Sequence, residues 1–147
     1  MRRWFRTEYT PCTSWYGDIF APFWDDSVEV RLHIDGTEPT DAELALLRPL
    51  LEHPVSLRDS IINAIRDFYQ RLLLDGATLD ISVGTYELTS EFISNSISLP
   101  SVDPNPSSME RTGDICFLMS FACTLDEEHG IDVWIVDWVV TDVGCLI

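Results

Sequence analysis

The most regular stretch of the chain alternates. Val28, Val30, Leu32 and Ile34 are apolar, and Glu29, Arg31 and His33 between them are polar. A period of two belongs to a strand with one face buried and the other wet. Asp35-Gly36 ends it, and the pattern then lengthens to a helical period. Thr40 with Glu43 forms a capping-box pattern after Pro39, and Leu44, Leu47 and Leu51 follow at helical spacing. Pro49 inside this run predicts a kink or an end near Arg48. Ser56 with Asp59 predicts the start of a second, longer helix that runs to Gly76. Its core face is Leu57, Ile61, Ile65, Phe68 and Leu72, flanked by Ile62, Tyr69 and Leu73. Arg58, Asn63, Arg66, Asp67 and Gln70 fill the wet side.

Either side of this segment the chain leans to strand. The first 27 residues are aromatic-rich and are broken by Pro11, Gly17 and Pro22 into short strands and turns. Residues 77–100 are β-leaning through Leu79, Ile81, Val83, Phe92, Ile93, Ile97 and Leu99. Residues 100–113 hold three prolines and read as a loop. Asp114 to Leu125 is a nearly unbroken apolar run, which predicts a central strand covered on both faces. Asp126-Glu127-Glu128-His129-Gly130 makes a turn, Ile131 to Val136 returns as its antiparallel partner, and Val139 to Ile147 gives a last strand. The expected architecture is one α+β domain over 1–147: an antiparallel sheet with two consecutive helices packed on one face.

Charge narrows the function classes. The 147 residues hold 25 acids against nine bases, a net charge of −16, and every base is Arg. Such a chain repels phosphate backbones and anionic lipid, so neither nucleic acid nor membrane is an expected partner. Arg2, Arg3 and Arg6 precede no apolar signal core, which sets a cytoplasmic expectation. Cys12, Cys116, Cys123 and Cys145 include no Cys-x-x-Cys pair, and Cys116 and Cys123 sit at opposite parity on one strand. Buried, reduced thiols are the expected state.

The densest cluster of reactive side chains is Asp126, Glu127, Glu128 and His129. Three carboxylates beside an imidazole could hold a divalent cation or orient a base. Four consecutive hairpin residues fan outward, however, and an acidic β-turn closed by Gly130 explains the same letters. No metal, cofactor or catalytic residue is expected. His33 and His53 read as surface positions. No nucleophile elbow, phosphate loop or His-Glu-x-x-His occurs. Trp4, Phe5, Trp15, Tyr16 and Trp24 are candidates for core or for an apolar interface patch.

The segment Cys123-Thr124-Leu125-Asp126-Glu127-Glu128-His129-Gly130-Ile131-Asp132-Val133, with Val143-Gly144-Cys145-Leu146-Ile147 after it, resembles a family of small, acidic, uncharacterised bacterial proteins. That family also has an N-terminal hairpin and a helix pair ending near an aromatic pair like Phe68-Tyr69. Leu125 stands where it usually has Trp. The resemblance implies a fold and a bacterial cytoplasmic home, with no established activity; some members look like immunity proteins encoded beside toxins. The expected function is therefore non-catalytic binding of a basic protein, a toxin being one form of it, through Asp126, Glu127, Glu128 and His129. A metal-binding or hydrolytic enzyme using the 126–129 turn and a homo-oligomeric structural subunit are the alternatives.

Overall fold

A computed structural model describes residues 5–9, 12–34, 39–76, 88–106 and 113–144. The strand readings at Leu79, Ile81 and Val83, and the residues Trp4 and Cys145, lie outside the described residues. Among the described residues, seven strands form one sheet in chain order: β1 (Phe5–Tyr9), β2 (Cys12–Ala21), β3 (Asp26–Ile34), β4 (Ile97–Asp103), β5 (Cys116–Cys123), β6 (Ile131–Val136) and β7 (Val139–Gly144). The four helices among these residues, α1 (Asp41–Ala45), α2 (Arg48–Glu52), α3 (Arg58–Leu74) and α4 (Ser90–Ser96), all fall between β3 and β4. The protein is α+β, as its pattern predicts. The sheet, though, is mixed. β3 and β4 run parallel through Glu29↔Ser101 and Val30↔Val102, joining an antiparallel β1–β3 unit to an antiparallel β4–β7 meander. Parallel neighbours need a long crossover, and the helices supply it.

The helical segment differs from two plain helices for local reasons. Thr40 caps α1 as the capping box predicts: its hydroxyl accepts from the Glu43 N–H, and the Glu43 side chain accepts from the Thr40 N–H. Pro49 then sits in the first turn of α2, where its missing N–H leaves no bond unmade. α3 begins one residue later than Ser56 suggests, with Leu57 as its cap residue. Its buried positions are Ile61, Ile62, Ile65 and Tyr69, while Phe68 and Leu72 are only partly covered. Tyr69 takes the centre because its hydroxyl finds a buried partner, donating to Cys123 Sγ at 3.4 Å. α4 replaces part of the β-leaning run. Thr89 caps it by accepting from the Phe92 N–H at 3.1 Å, so Phe92 and Ile93 are helical, and Ile93 is fully buried.

One apolar core joins Val28, Val30 and Leu32 of β3, Phe117, Met119 and Phe121 of β5, and Val133 and Ile135 of β6 to α3. β5 lies inside the sheet as its composition predicts, but its outer face is covered only in part: Cys116 and Leu118 are buried there, while Ser120 is half-buried and Ala122 exposed. Cys116 and Cys123 are free and buried. The β5–β6 hairpin forms antiparallel around the 126–130 turn, from Phe121↔Ile131 to Cys116↔Val136. No helix among the described residues is long and apolar enough to cross a membrane.

Candidate binding surface

The acidic turn closes on itself. Asp126 is the hinge of that closure: its carboxylate accepts from the His129 backbone N–H at 3.3 Å and lies 3.0 and 3.2 Å from His129 Nδ1. The Gly130 N–H donates to the Asp126 carbonyl at 2.9 Å. Gly130 has φ +69, and a Cβ there would stand 2.5 Å from the Phe121 carbonyl oxygen, so only glycine fits. Glu127, Glu128 and His129 remain exposed. Among the described residues no group of three or more His, Cys, Asp or Glu is placed to hold a metal ion.

The aromatic candidates part company. Of the two readings, core and interface patch, Trp24 takes the first: it is 4% exposed, its ring centroid lies 5.0 Å from that of Phe121, and the Arg58 guanidinium lies over its ring at 4.6 Å. Arg58 Nη1 also donates to the Trp24 carbonyl at 3.2 Å, so the half-buried Arg58 holds Trp24 in place in the core. Tyr16 is half-buried on β2. Phe5 and Trp15 take register positions opposite Tyr16 and Leu32, and their side chains lie outside the described residues, as does that of His33. His53 is not a plain surface residue. It stacks on Trp138 with ring centroids 3.6 Å apart, and Trp138 in turn meets Phe117 and Phe23.

Register gathers the acids. β2 and β3 end at Ala21↔Asp26, and the parallel pair Glu29↔Ser101 aligns the start of β3 with the start of β4. Ile97 at that start pairs with Cys123, the last residue of β5. The turn carrying Asp25 and Asp26 and the turn carrying Asp126, Glu127 and Glu128 therefore lie at the same end of the sheet. The Trp24–Phe121 contact spans the gap between them.

On the face of the sheet away from the core, beside that end, lies a cavity of about 300 Å³ lined by Asp18, Ser27, Glu29, Arg31, Leu99 and Ser101. Glu29 accepts from Arg31 Nε at 2.7 Å. Asp18 sits directly opposite Glu29 across β2 and β3 and takes no partner among the described residues. Leu99 occupies a bulge in β4 with φ +51 and is 78% exposed.

The same outer row continues as Ser101↔Ser120 and Ser120↔Asp132. Asp132 is 5% exposed and hydrogen-bonded to Ser120, while its Oδ2 is buried without a partner. Burial pushes its carboxyl above the ordinary Asp range, against the smaller lowering by Ser120. Alternation alone marks Asp132 as a wet position. Trp134 on the same face, whose ring lies against Gly144 on β7, is the sequence signal that this face is partly covered.

No curated protein and no solved structure matches the chain. A family model described as a domain of unknown function, DUF6985, matches residues 4–146 and so takes in both acidic turns, the outer cavity and Asp132; the chain belongs to that family.

Proposed function

We propose that this protein is a non-catalytic binding protein that takes a basic protein as its partner at the acidic end of its sheet. The observation that carries the reading is the convergence of Asp25, Asp26, Asp126, Glu127 and Glu128 on one end by strand register. Residues 71–147, which include three of these five, hold 13 of the 25 acids and two of the nine Arg. A concentrated field of one sign steers an oppositely charged partner and raises its association rate. The self-closed Asp126–His129 turn presents Glu127 and Glu128 on a fixed frame, so less ordering is needed on binding. A bacterial cytoplasmic setting, and a toxin as the basic protein, are part of the proposal.

The test is capture from the native host with wild type and with Asp126→Asn/Glu127→Gln/Glu128→Gln, at low and at high salt. Wild type is expected to retain a basic protein, and the triple variant to retain less of it at low salt with its thermal melt nearly unchanged. Raising ionic strength should shrink the difference, because exposed charges are screened beyond about 8 Å at physiological salt. A wild type that retains no salt-sensitive partner, or a triple change that alters stability alone, would sink the proposal.

A further inference from the structure

The outer cavity has an imbalance that the chain does not resolve. Asp18 and Glu29 face each other across β2 and β3, and like charges directly opposite in a sheet are destabilising. One cation, Arg31, serves the two of them, and it is committed to Glu29 at 2.7 Å. Asp18 is left exposed and without a partner among the described residues, so the cavity carries one negative charge in excess. What the site lacks is a second cation.

Its rim says what kind of cation. Leu99 stands 78% exposed on one side, followed by Pro100. Phe20 is 59% exposed and pairs with Ser27, which lines the opposite side. A small hydrated ion has no use for apolar walls. A long cationic side chain does, since its stem lies on apolar surface while its head reaches the carboxylate. The volume, about 300 Å³, is at the small end of ligand pockets and suits one such side chain.

We infer that the cavity between β3 and the β4 bulge is the anchor pocket for one Arg or Lys side chain of a partner protein, flanked in that partner by apolar residues. The head pairs with Asp18, and the flanks pack on Leu99 and Phe20. This deepens the proposed binding of a basic protein and rests on it for the identity of the partner. It places the anchor on the outer face, beside the acidic end and separate from the turns.

The test is a titration of the whole isotopically labelled protein with the short blocked peptide Ala-Leu-Arg-Leu-Ala, followed by amide NMR shifts. Saturable shifts are expected at Ser27, Glu29, Leu99 and Ser101. The same peptide with Gln in place of Arg, and arginine amide alone, should each bind more weakly, and Asp18→Asn should weaken the Arg peptide by about threefold or more. Asp18→Asn removes a like-charge pair and leaves the fold intact, which the same spectra report. Leu99→Ser, which keeps the charge, should also weaken the peptide. Shifts absent from the cavity, equal binding by the Gln peptide, or no effect of Asp18→Asn would each overturn the inference. The two readings fail separately. If the peptide binds as expected while the triple change at 126–128 leaves host capture untouched, the acidic-end reading falls and the pocket stands. If capture responds and the peptide leaves the cavity silent, the pocket falls and the acidic end stands.

Discussion

Replacing Asp132 by Asn should stabilise the protein at neutral pH. Asp132 is 5% exposed, one carboxylate oxygen is bonded to Ser120, and Oδ2 is buried with no partner. A buried acceptor without a bond costs about 1–3 kcal/mol, and more when it is charged. Asn keeps an oxygen for Ser120 and leaves an unpartnered N–H where Oδ2 stood, so the polar penalty persists and the charge penalty goes. The gain expected at pH 7 is about 1–2 kcal/mol. With a urea slope of ~2 kcal/mol/M, the midpoint should rise by ~0.5–1 M.

The pH dependence follows from the direction of the shift. The folded state holds the Asp132 proton more tightly than the unfolded chain, whose value is near 3.8. Wild type therefore loses stability as pH rises from the unfolded value through the raised folded one, and the loss is complete above it. Asp132→Asn carries no such term, so its advantage should grow as pH rises through the raised folded value and should vanish below pH ~4. Asp142→Asn is the control, since it removes the same charge from an exposed position on the neighbouring strand and should change stability by less than ~0.5 kcal/mol. Urea melts of the three proteins across pH decide the matter. An equal gain from Asp142→Asn, or an advantage that does not shrink in acid, would show that general charge repulsion is at work and not the buried carboxyl.

Four further substitutions probe the frame, each read by denaturant melts. Ile65→Ala, at a fully buried position of α3, should cost about 2–5 kcal/mol, while exposed Gln70→Ala should cost less than ~0.5. Arg66→Ala should cost about 0.5–1.5 kcal/mol, because Arg66 Nη1 donates to Ser90 Oγ at 3.3 Å and Ser90 in turn donates to Asn63, tying α3 to α4. Gly130→Ala should cost more than the ~1–2 kcal/mol of left-handed backbone alone, since its Cβ would strike the Phe121 carbonyl, and the melt should be accompanied by changed amide exchange in the β5–β6 hairpin.

Local pattern made some elements legible and left others hidden. The β5–β6 hairpin was readable because two β-rich runs flank one glycine-closed turn, and α3 because its apolar residues recur for five turns. Its phase was readable only approximately. Tyr69 carries a hydroxyl and looks like a flank, yet the buried Cys123 thiol gives that hydroxyl a partner. α4 was masked by serines and by β-branched neighbours, and its one local sign is Thr89 as a cap. The parallel β3–β4 pairing rests on two residue pairs with four helices between the strands, and a contact so distant leaves no periodic trace. The same pairing brings Asp25 near the 126–130 turn and opens the outer cavity. The candidate site was thus legible in its charges and illegible in its assembly.

Backbone strain separates the two ends of the sheet. At the β6–β7 turn, Asp137 and Trp138 have φ +48 and +66, values that suit a tight two-residue hairpin but strain a bulky Trp. That strain is offset inside the chain. Trp138 is packed on His53, Phe117 and Phe23, and the Asp137 carboxylate accepts from the Ile115 N–H at 2.9 Å. At the acidic end Leu99 holds φ +51 with its side chain in water, a conformation that costs about 1–3 kcal/mol and gains no burial there. Beside it Asp18 stands opposite Glu29 across β2 and β3, and at the far end of the same row Asp132 sits buried and half-satisfied. Strain at the β6–β7 turn is thus compensated by packing within the chain, whereas at Leu99 none of the described contacts offsets it. Exposed Leu99 and Asp18 are where the proposed partner would supply the contacts, and the buried Asp132 oxygen is a cost internal to the fold.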